Sequence, residues 1–464
     1  MQQFDPNMAD VRTVAVDGHY LVSRPSTGAV SLFTPAEYLV FMCLLESDGS
    51  DPAAVIRRVM GCYGCSEDQV VRFTGVFLKK LEQQGWTRTQ REELDTPCLQ
   101  SVYLSITTGC NLTCNYCYIG DSRRHNDQRM PPDHALRILD KIKAFGADPG
   151  FAVTGGEPFT HPGIFVILDA LEQRSLRFTI GSNATLIDGP AAAKLKNYMF
   201  LDHIQVSIDG MTPEVHALTR GDTWHATISG IRNLITEGVP FSLAPTLHSG
   251  NLHEVTGIAR FARENGGYYA PNHLRRFPHA PNLGEISLSP CELRNSIIGT
   301  FGEVKRENGR LKTHGGYTPE HPEARQQTRR RHVCGNAWYS VDIDWNGDVY
   351  PCHLLREKEF IIGNILTEEI PVIMERGKRS RTRVKAYDIP GCRECPFVAT
   401  CAGGCRASGY YHKGTFAAAD EFCEILHQFE IDKLFYAKDP TGYIPPLAMH
   451  ACVPVNPPES GKLS

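Results

Sequence analysis

The chain opens on short alternating runs: Gly18-His19-Tyr20-Leu21-Val22, a Ser-Thr-Gly turn, then Ala29-Val30-Ser31-Leu32-Phe33. Alternation of period two on both sides of a turn predicts a β-hairpin between residues 14 and 33. Thr34 reads as an N-cap, with Pro35 at the first helical position and Glu37 in the first turn, so a helix should run to about Glu46. Asp51 opens a second helix, with Val55, Ile56 and Val59 on one face. Ser66 opens a third, carrying Val70, Val71, Phe73, Phe77 and Leu81 and ending at Gly85-Trp86. A charged linker broken by Pro97 follows. From residue 101 short apolar runs alternate with amphipathic stretches. Strands are expected at 102–106, 151–154, 178–182, 203–208 and 241–246, with a weaker sixth at 267–274; helices are expected at 132–145, 163–172, 191–199, 225–237 and 251–264. Repeated strand–helix units predict a parallel sheet. Beyond it lie a helix at 291–305, a basic run at 329–331, and two alternating runs flanking Asn346-Gly347. Asn-Gly predicts a two-residue hairpin turn with positive φ at both positions. The units are therefore 1–95, 101–285, a linker with a helix at 286–330, 331–442, and a proline-rich tail at 443–464.

At 464 residues the chain can build several cores, about three at ~150 residues each. Its net charge of -4 lacks the basic excess of nucleic-acid binders. No apolar run is long enough to span a membrane, and the polar start Met1-Gln2-Gln3-Phe4-Asp5 is no signal peptide. Neither nucleic acid nor membrane is an expected partner. Sixteen cysteines without an export signal argue for metal in the cytoplasm rather than for a disulfide framework.

The cysteines are patterned. Cys110, Cys114 and Cys117 stand in a loop after the first central strand. Three thiolates can hold three corners of a 4Fe–4S cube and leave the fourth iron open; a structural zinc site would need a fourth ligand nearby. Seven more follow: Cys334, Cys352, Cys392, Cys395, Cys401, Cys405 and Cys423. Cys62 and Cys65 form a lone C-x2-C at a helix junction and read as buried structural cysteines.

The triad spacing, with Tyr116 before its third cysteine, resembles the signature of the radical S-adenosylmethionine (radical SAM) enzymes. Gly155-Gly156-Glu157-Pro158 after the second strand resembles that family's GGEP motif, and Ser207-Ile208-Asp209-Gly210 after the fourth its SIDG element. The seven later cysteines, with Gly347 between the first two, resemble the SPASM domain. Hairpin plus three helices resembles the winged-helix domain that recognises precursor peptides, as in the peptide chaperone of pyrroloquinoline quinone biosynthesis. These resemblances imply an α/β fold: a partial (β/α)6 radical SAM barrel with an N-terminal winged-helix domain and a C-terminal cysteine-rich SPASM domain.

The resemblance also implies roles. Gly155, Gly156 and Glu157 would hold the amino group of S-adenosylmethionine. Asn183 would lie near the cofactor, and Ser207 with Arg220 would contact its carboxylate. Cys392, Cys395, Cys401 and Cys423 would ligate an outer auxiliary cluster. Cys334, Cys352 and Cys405 would hold an inner one, making three 4Fe–4S clusters in all. Residues 325–333 contain no further cysteine, so the inner cluster's fourth ligand stays open, with Cys291 and Cys452 as distant candidates. Where anaerobic sulfatase maturases place a basic Asp after the hairpin cysteine, this chain has His353. It is either a base or a histidine that supports the cysteine or lies on the surface.

Together these features imply a radical SAM maturase, an oxidoreductase-type enzyme. It would take electrons from a flavodoxin- or ferredoxin-type donor and abstract hydrogen from a ribosomally made precursor peptide. The peptide's leader would add as a strand to the hairpin edge, and a C–C, C–O or thioether crosslink is the expected product. Alternatives are a maturase of a folded protein, of sulfatase or quinohemoprotein type, and a non-catalytic iron–sulfur regulator that binds DNA.

Overall fold

The computed structural model describes residues 10–25, 28–46, 52–84, 86, 99–119, 126–275, 277, 280, 286–300, 306–307, 310–311 and 333–438. Asp51, Gly85, Pro97, the basic run at 329–331, the tail and Cys452 lie outside them.

Three antiparallel strands, β1 (Arg12–Val16), β2 (His19–Arg24) and β3 (Ala29–Phe33), form the first sheet in that order. The expected hairpin thus gains a strand, β1. It is turned by Asp17-Gly18, where both residues have positive φ (44° and 72°) and Val16 pairs with His19, as a type I′ turn requires. Helices α1 (Pro35–Glu46), α2 (Pro52–Tyr63) and α3 (Glu67–Gln83) follow. Thr34 and Glu37 cap α1 reciprocally: the Thr34 N–H donates to Glu37 Oε2 (2.8 Å) and the Glu37 N–H to Thr34 Oγ1 (3.2 Å). Val22 and Phe33 on one sheet face pack with Phe41, Val59, Phe77, Leu81 and Trp86. Two expectations fail here. Val71 (50 % exposed) and Phe73 (38 %) stand off this core, and Cys62 is exposed; Cys65 is half-buried against the core.

The central unit alternates strand and helix: β4 (Ser101–Thr107), α4 (Pro132–Ala144), β5 (Gly150–Gly155), α5 (Ile164–Gln173), β6 (Phe178–Ser182), α6 (Gly189–Leu195), β7 (Leu201–Val206), α7 (Pro213–Arg220), α8 (Trp224–Glu237), β8 (Phe241–Leu243), β9 (Thr246–Leu247), α9 (Val255–Glu264), β10 (Tyr268–Tyr269) and β11 (Asn272–His273). The parallel order is β4-β5-β6-β7-β8-β10. The fifth and sixth strands are each broken in two, near Pro245 and Pro271, where the chain lacks an N–H donor; their outer pieces β9 and β11 pair with each other. Helix α7 was not expected. Leu104, Val153, Ile180, Ile204 and Leu243 are buried with the helices, while the alternating Tyr103, Ala152, Thr179 and Gln205 are only half-buried on the opposite face.

Helix α10 (Pro290–Thr300) and a two-residue pair, β12 (Arg306–Glu307) with β13 (Arg310–Leu311), lead onward. Strand β14 (Ser340–Ile343) then joins the central sheet itself, parallel to β4, with Ser340 opposite Ser101 and Ile343 opposite Leu104. Strands β15 (Asp348–Tyr350) and β16 (Gly363–Asn364) extend it to nine strands. The turn differs from the one expected. Only Gly347 has positive φ (85°), and the Gly347 N–H donates to Asp344 O while the Asp344 N–H donates to Asp348 O, both at 2.9 Å. Trp345-Asn346-Gly347 is therefore a three-residue loop with glycine in its left-handed position. The α-helices that follow are α11 (Ile370–Lys378), α12 (Val398–Cys401), α13 (Arg406–Lys413) and α14 (Cys423–Lys438), joined by turns.

The other face of the first sheet is also covered. Leu21 and Leu32 pack on Phe397, Ile431 and Phe435, with Val16, Val30, Cys395 and Cys401 around them. Arg12 Nη1 donates to the Cys395 carbonyl at 2.8 Å.

Candidate active site

The strand ends nearest the cysteine triad carry the polar motifs. Loop 107–109 and Gly155-Gly156 continue the β4–β5 contact beyond the sheet: the Gly156 N–H donates to Thr107 O (2.8 Å) and the Glu157 N–H to Gly109 O (2.9 Å). A Cβ on Gly155 would fall on the Thr107 carbonyl, and one on Gly156 on the Gly109 carbonyl. The glycines are needed because the cysteine loop's own backbone comes this close.

Glu157 is buried and joins this turn to the third strand end. Oε1 accepts from the Phe159 N–H (3.1 Å) and the Ser182 hydroxyl (2.8 Å), and Oε2 from the Asn183 N–H (2.7 Å). A carboxylate offers about four acceptor sites, so one is left for a ligand N–H. Burial pushes the carboxyl up to about 7, against the pull of those hydrogen bonds. The Asn183 side chain donates to Asn111 Oδ1 (2.9 Å) and accepts from the Thr185 hydroxyl (2.7 Å), tying the cysteine loop to β6. Ser207 lies half-buried just past β7, its N–H on Ser182 O at 2.9 Å.

Arg220, at the end of α7, reaches the triad: Nη1 lies 3.9 Å from Cys114 Sγ. What holds it there is a residue to which the sequence assigned no role. Asp209 is fully buried, and its Oδ2 accepts from the Tyr116 hydroxyl (2.6 Å), the Thr219 hydroxyl (2.7 Å) and Arg220 Nε (2.8 Å), while Oδ1 accepts from the Thr246 N–H (2.8 Å). Burial alone would raise the Asp209 pKa; the Arg220 charge and the hydrogen bonds overcome it and hold the carboxyl below its ordinary value.

The ten motif cysteines fall into three electrostatic neighbourhoods. Cys110 feels Cys114 and Cys117. Cys352 feels Cys405 and Cys334. Cys395 feels Cys401, Cys423 and Cys392. None of the ten is in a disulfide. Burial first pushes Cys110 and Cys401 up to about 11 and Cys395 to about 12; the Glu157 charge and then the neighbouring cysteines add to it at Cys110, and neighbouring cysteines at Cys395 and Cys401. Thiols crowded in this way become thiolates when a cationic centre compensates them, so the donor chemistry fits iron–sulfur ligation in sets of three, three and four. Among the described residues, no three metal-ligating side chains converge on a point that a lone ion would occupy.

The second set lies where the cysteine-rich unit meets the central sheet. Half-buried His353 stacks on Tyr103 (4.3 Å between centroids), meets Tyr118 edge-on (5.9 Å), and has Nδ1 3.9 Å from Cys352 Sγ. Burial, then the charges of Arg356 and Arg275, lower its pKa to about 3, so the ring is neutral. The Cys405 N–H donates to Asp420 Oδ2 (2.7 Å), and Asp420 Oδ1 takes Arg275 Nη1 (3.0 Å) from the loop after β11. Arg356 spans the same junction, paired with Asp342 at 2.8 Å. A cavity of ≈ 170 Å³ is lined by Leu247, Leu274, Leu288, Leu293, Phe422 and Ile425 together with Arg275, Ser287, His412, Glu421 and Glu424. Pockets for whole ligands run to about 300 Å³ and more; this one has the scale of a single side chain.

Comparison with known proteins agrees with this arrangement. Residues 104–262 match the Radical SAM superfamily, and residues 334–396 match the SPASM iron–sulfur cluster-binding domain. The chain is 26 % identical to the AdoMet-dependent heme synthase of Methanosarcina barkeri, over 68 % of this chain and 94 % of that protein. It is 25 % identical to the antilisterial bacteriocin subtilosin biosynthesis protein AlbA of Bacillus subtilis, over 66 % and 68 %. To the mycofactocin maturase MftC of Mycobacterium ulcerans it is 24 % identical, over 68 % and 85 %. Among solved structures, anSMEcpe with bound AdoMet superimposes with a TM-score of 0.59 at 19 % identity, covering 74 % of this chain and all of that one. Streptococcus suis SuiB bound to its precursor peptide SuiA gives 0.57 at 14 %, over 89 % and 98 %. Among the described residues no helix is long and apolar enough to cross a membrane. One chain therefore carries, in this order, a match to the Radical SAM superfamily and a match to the iron–sulfur cluster-binding SPASM domain.

Proposed function

We propose that the protein is a radical SAM maturase of a ribosomally made precursor peptide. The observation that carries this reading is that the Cys110–Cys114–Cys117 loop is held on one side by the Glu157 turn, whose N–H donates to Gly109 O, and on the other meets the inner cysteine set, where His353 packs edge-on against Tyr118. Bound together, a 4Fe–4S cluster and S-adenosylmethionine supply one-electron cleavage of a C–S bond to methionine and a 5′-deoxyadenosyl radical that abstracts hydrogen. The chain's own residues bind and orient. Glu157 has one acceptor site left for the ammonium, and Ser207 and Arg220 serve the carboxylate. Cys334, Cys352 and Cys405 form the inner ligand set, and Cys392, Cys395, Cys401 and Cys423 the outer one. Neutral His353 supports Cys352 and Tyr103 rather than acting as a base.

The N-terminal unit fits the winged-helix recognition role. Its sheet has β3 as an outer strand, and α3 packs Phe77 on Phe33 of that strand and stacks exposed Phe73 on Phe77, a setting for an added leader strand. The relatives AlbA and MftC, whose names state peptide-product biosynthesis and maturation, favour a peptide substrate, with a flavodoxin- or ferredoxin-type donor supplying electrons. The side-chain-sized cavity suits one apolar side chain of the peptide.

The test is mass spectrometry of a precursor peptide co-expressed anaerobically with the enzyme, beside a Cys110/Cys114/Cys117→Ala control. Loss of two hydrogens only with intact cysteines supports crosslinking, and deuterium solvent reveals mass-silent epimerisation. The similarity to heme synthases supports a second reading, action on a tetrapyrrole. Loss of mass from an iron porphyrin, with the peptide unchanged, would decide for it.

A further inference from the structure

We propose that Asp209 is a positioning residue for S-adenosylmethionine: its buried carboxylate fixes the Arg220 guanidinium beside Cys114, so that the free side of the fork meets the cofactor's carboxylate. The inference rests on the reading that this chain binds S-adenosylmethionine at the Cys110–Cys114–Cys117 loop.

Four donors converge on Asp209, and they come from three separate places: Tyr116 in the cysteine loop, Thr219 and Arg220 at the end of α7, and the Thr246 N–H at the start of β9. The Asp209 backbone is itself held, its carbonyl accepting from Asn251 Nδ2 at 3.0 Å. One carboxylate thus sets the distance between the cysteine loop, the fourth strand end and α7.

Arg220 is only 8 % exposed, yet it spends little of its fork on the protein. Nε goes to Asp209, Nη1 approaches Cys114 Sγ, and the guanidinium lies 5.4 Å from the centre of the Tyr116 ring. Among the described residues Nη2 makes no hydrogen bond. A guanidinium presents five donors in a rigid plane, and its side away from Nε is the part that grips a carboxylate in two bonds. A buried arginine needs a counter-charge to stay in place, and Asp209 provides it without occupying that outer side. The cofactor's ammonium would face Glu157 at the end of β5, two strands away across β6, so the two ends of its methionine part meet opposite charges.

The test uses anaerobic, cluster-loaded full-length protein and radiolabelled S-adenosylmethionine in equilibrium dialysis. A parallel readout is the change in the reduced cluster's EPR signal on adding the cofactor. Asp209→Asn and Arg220→Gln are each expected to raise Kd by about tenfold, the scale of one charge-assisted hydrogen bond. The double variant should bind no worse than Arg220→Gln alone, because Asp209 acts through Arg220. Wild-type affinity in Asp209→Asn with full iron content would overturn the proposal, and so would strictly additive losses in the double variant. If Asp209→Asn fails to load iron, Arg220→Gln still decides: unchanged Kd and an unchanged EPR response overturn the proposal. Absence of binding in the wild type would instead sink the cofactor reading itself.

Discussion

In the proposed site, Glu157 is a single buried carboxyl that would make cofactor binding depend on pH. Its pKa of about 7 is caused by burial, and only the ionised form pairs with an ammonium. Affinity for S-adenosylmethionine should therefore fall as pH drops through about 7, where Glu157 takes up a proton, by up to about tenfold per unit. Dialysis from pH 5.5 to 8.5 would measure this, and Glu157→Gln should give a flat, weak profile. Without ligand the sign reverses. A raised carboxyl contributes stability that is fully present below its ordinary value near 4.5 and is lost as pH rises through about 7. At this scale the sequence was legible where chemistry depends on spacing within one loop, as in Cys110, Cys114 and Cys117. It was not legible for Asp209, which stood in view inside a recognised motif. Its partners come from positions 116, 219, 220 and 246, and only the folded chain brings them together.

Elements were legible where a local rule governs them. The Thr34–Glu37 cap, α1 and the five central helices appear within a few residues of expectation, because capping and helical periodicity are short-range. The misses share a cause as well. Helix α7 is a single short amphipathic stretch between two longer signals, and β1 alternates weakly, with Thr13, Val14 and Ala15 exposed. The Asn346-Gly347 turn was assigned to the wrong class because loop length is set by which residues pair across it, here Asp344 with Asp348. That turn yields a prediction. Gly347 sits at φ 85°, and a Cβ there would lie 2.8 Å from Leu366. Gly347→Ala should cost about 1–2 kcal/mol, read as a lowered denaturation midpoint, and iron content should fall because Cys352 hangs from the same hairpin.

For the whole molecule, the Radical SAM match at 104–262 and the SPASM match at 334–396 follow the cysteine patterns, but how the first sheet docks on the cysteine-rich unit was not legible. Alternation says that Leu21 and Leu32 point away from Val22 and Phe33; it cannot say that they meet Phe397, Ile431 and Phe435. The first sheet consequently lies against the outer cysteine loop. Leu21→Lys would place a charge in that contact, at a cost of several kcal/mol if it stayed buried, so the sheet should lift instead. The expected result is faster iron release to a chelator from the outer set, with the triad's S-adenosylmethionine affinity unchanged. Equal release kinetics in variant and wild type would contradict this picture.

The pairing of β14 with β4 has a consequence for synthesis. A ribosome delivers Ser101–Thr107 more than two hundred residues before Ser340–Ile343, so the nascent central sheet waits with an unpaired border for much of translation. Exposed strand borders recruit other chains. A protein ending at residue 330 should therefore form inclusion bodies even though it keeps all of residues 104–262, the stretch that matches the Radical SAM superfamily. Supplying residues 331–464 as a separate polypeptide in the same cell should recover part of it in the supernatant, and fluorescence of a reporter fused to the truncated chain would follow that recovery.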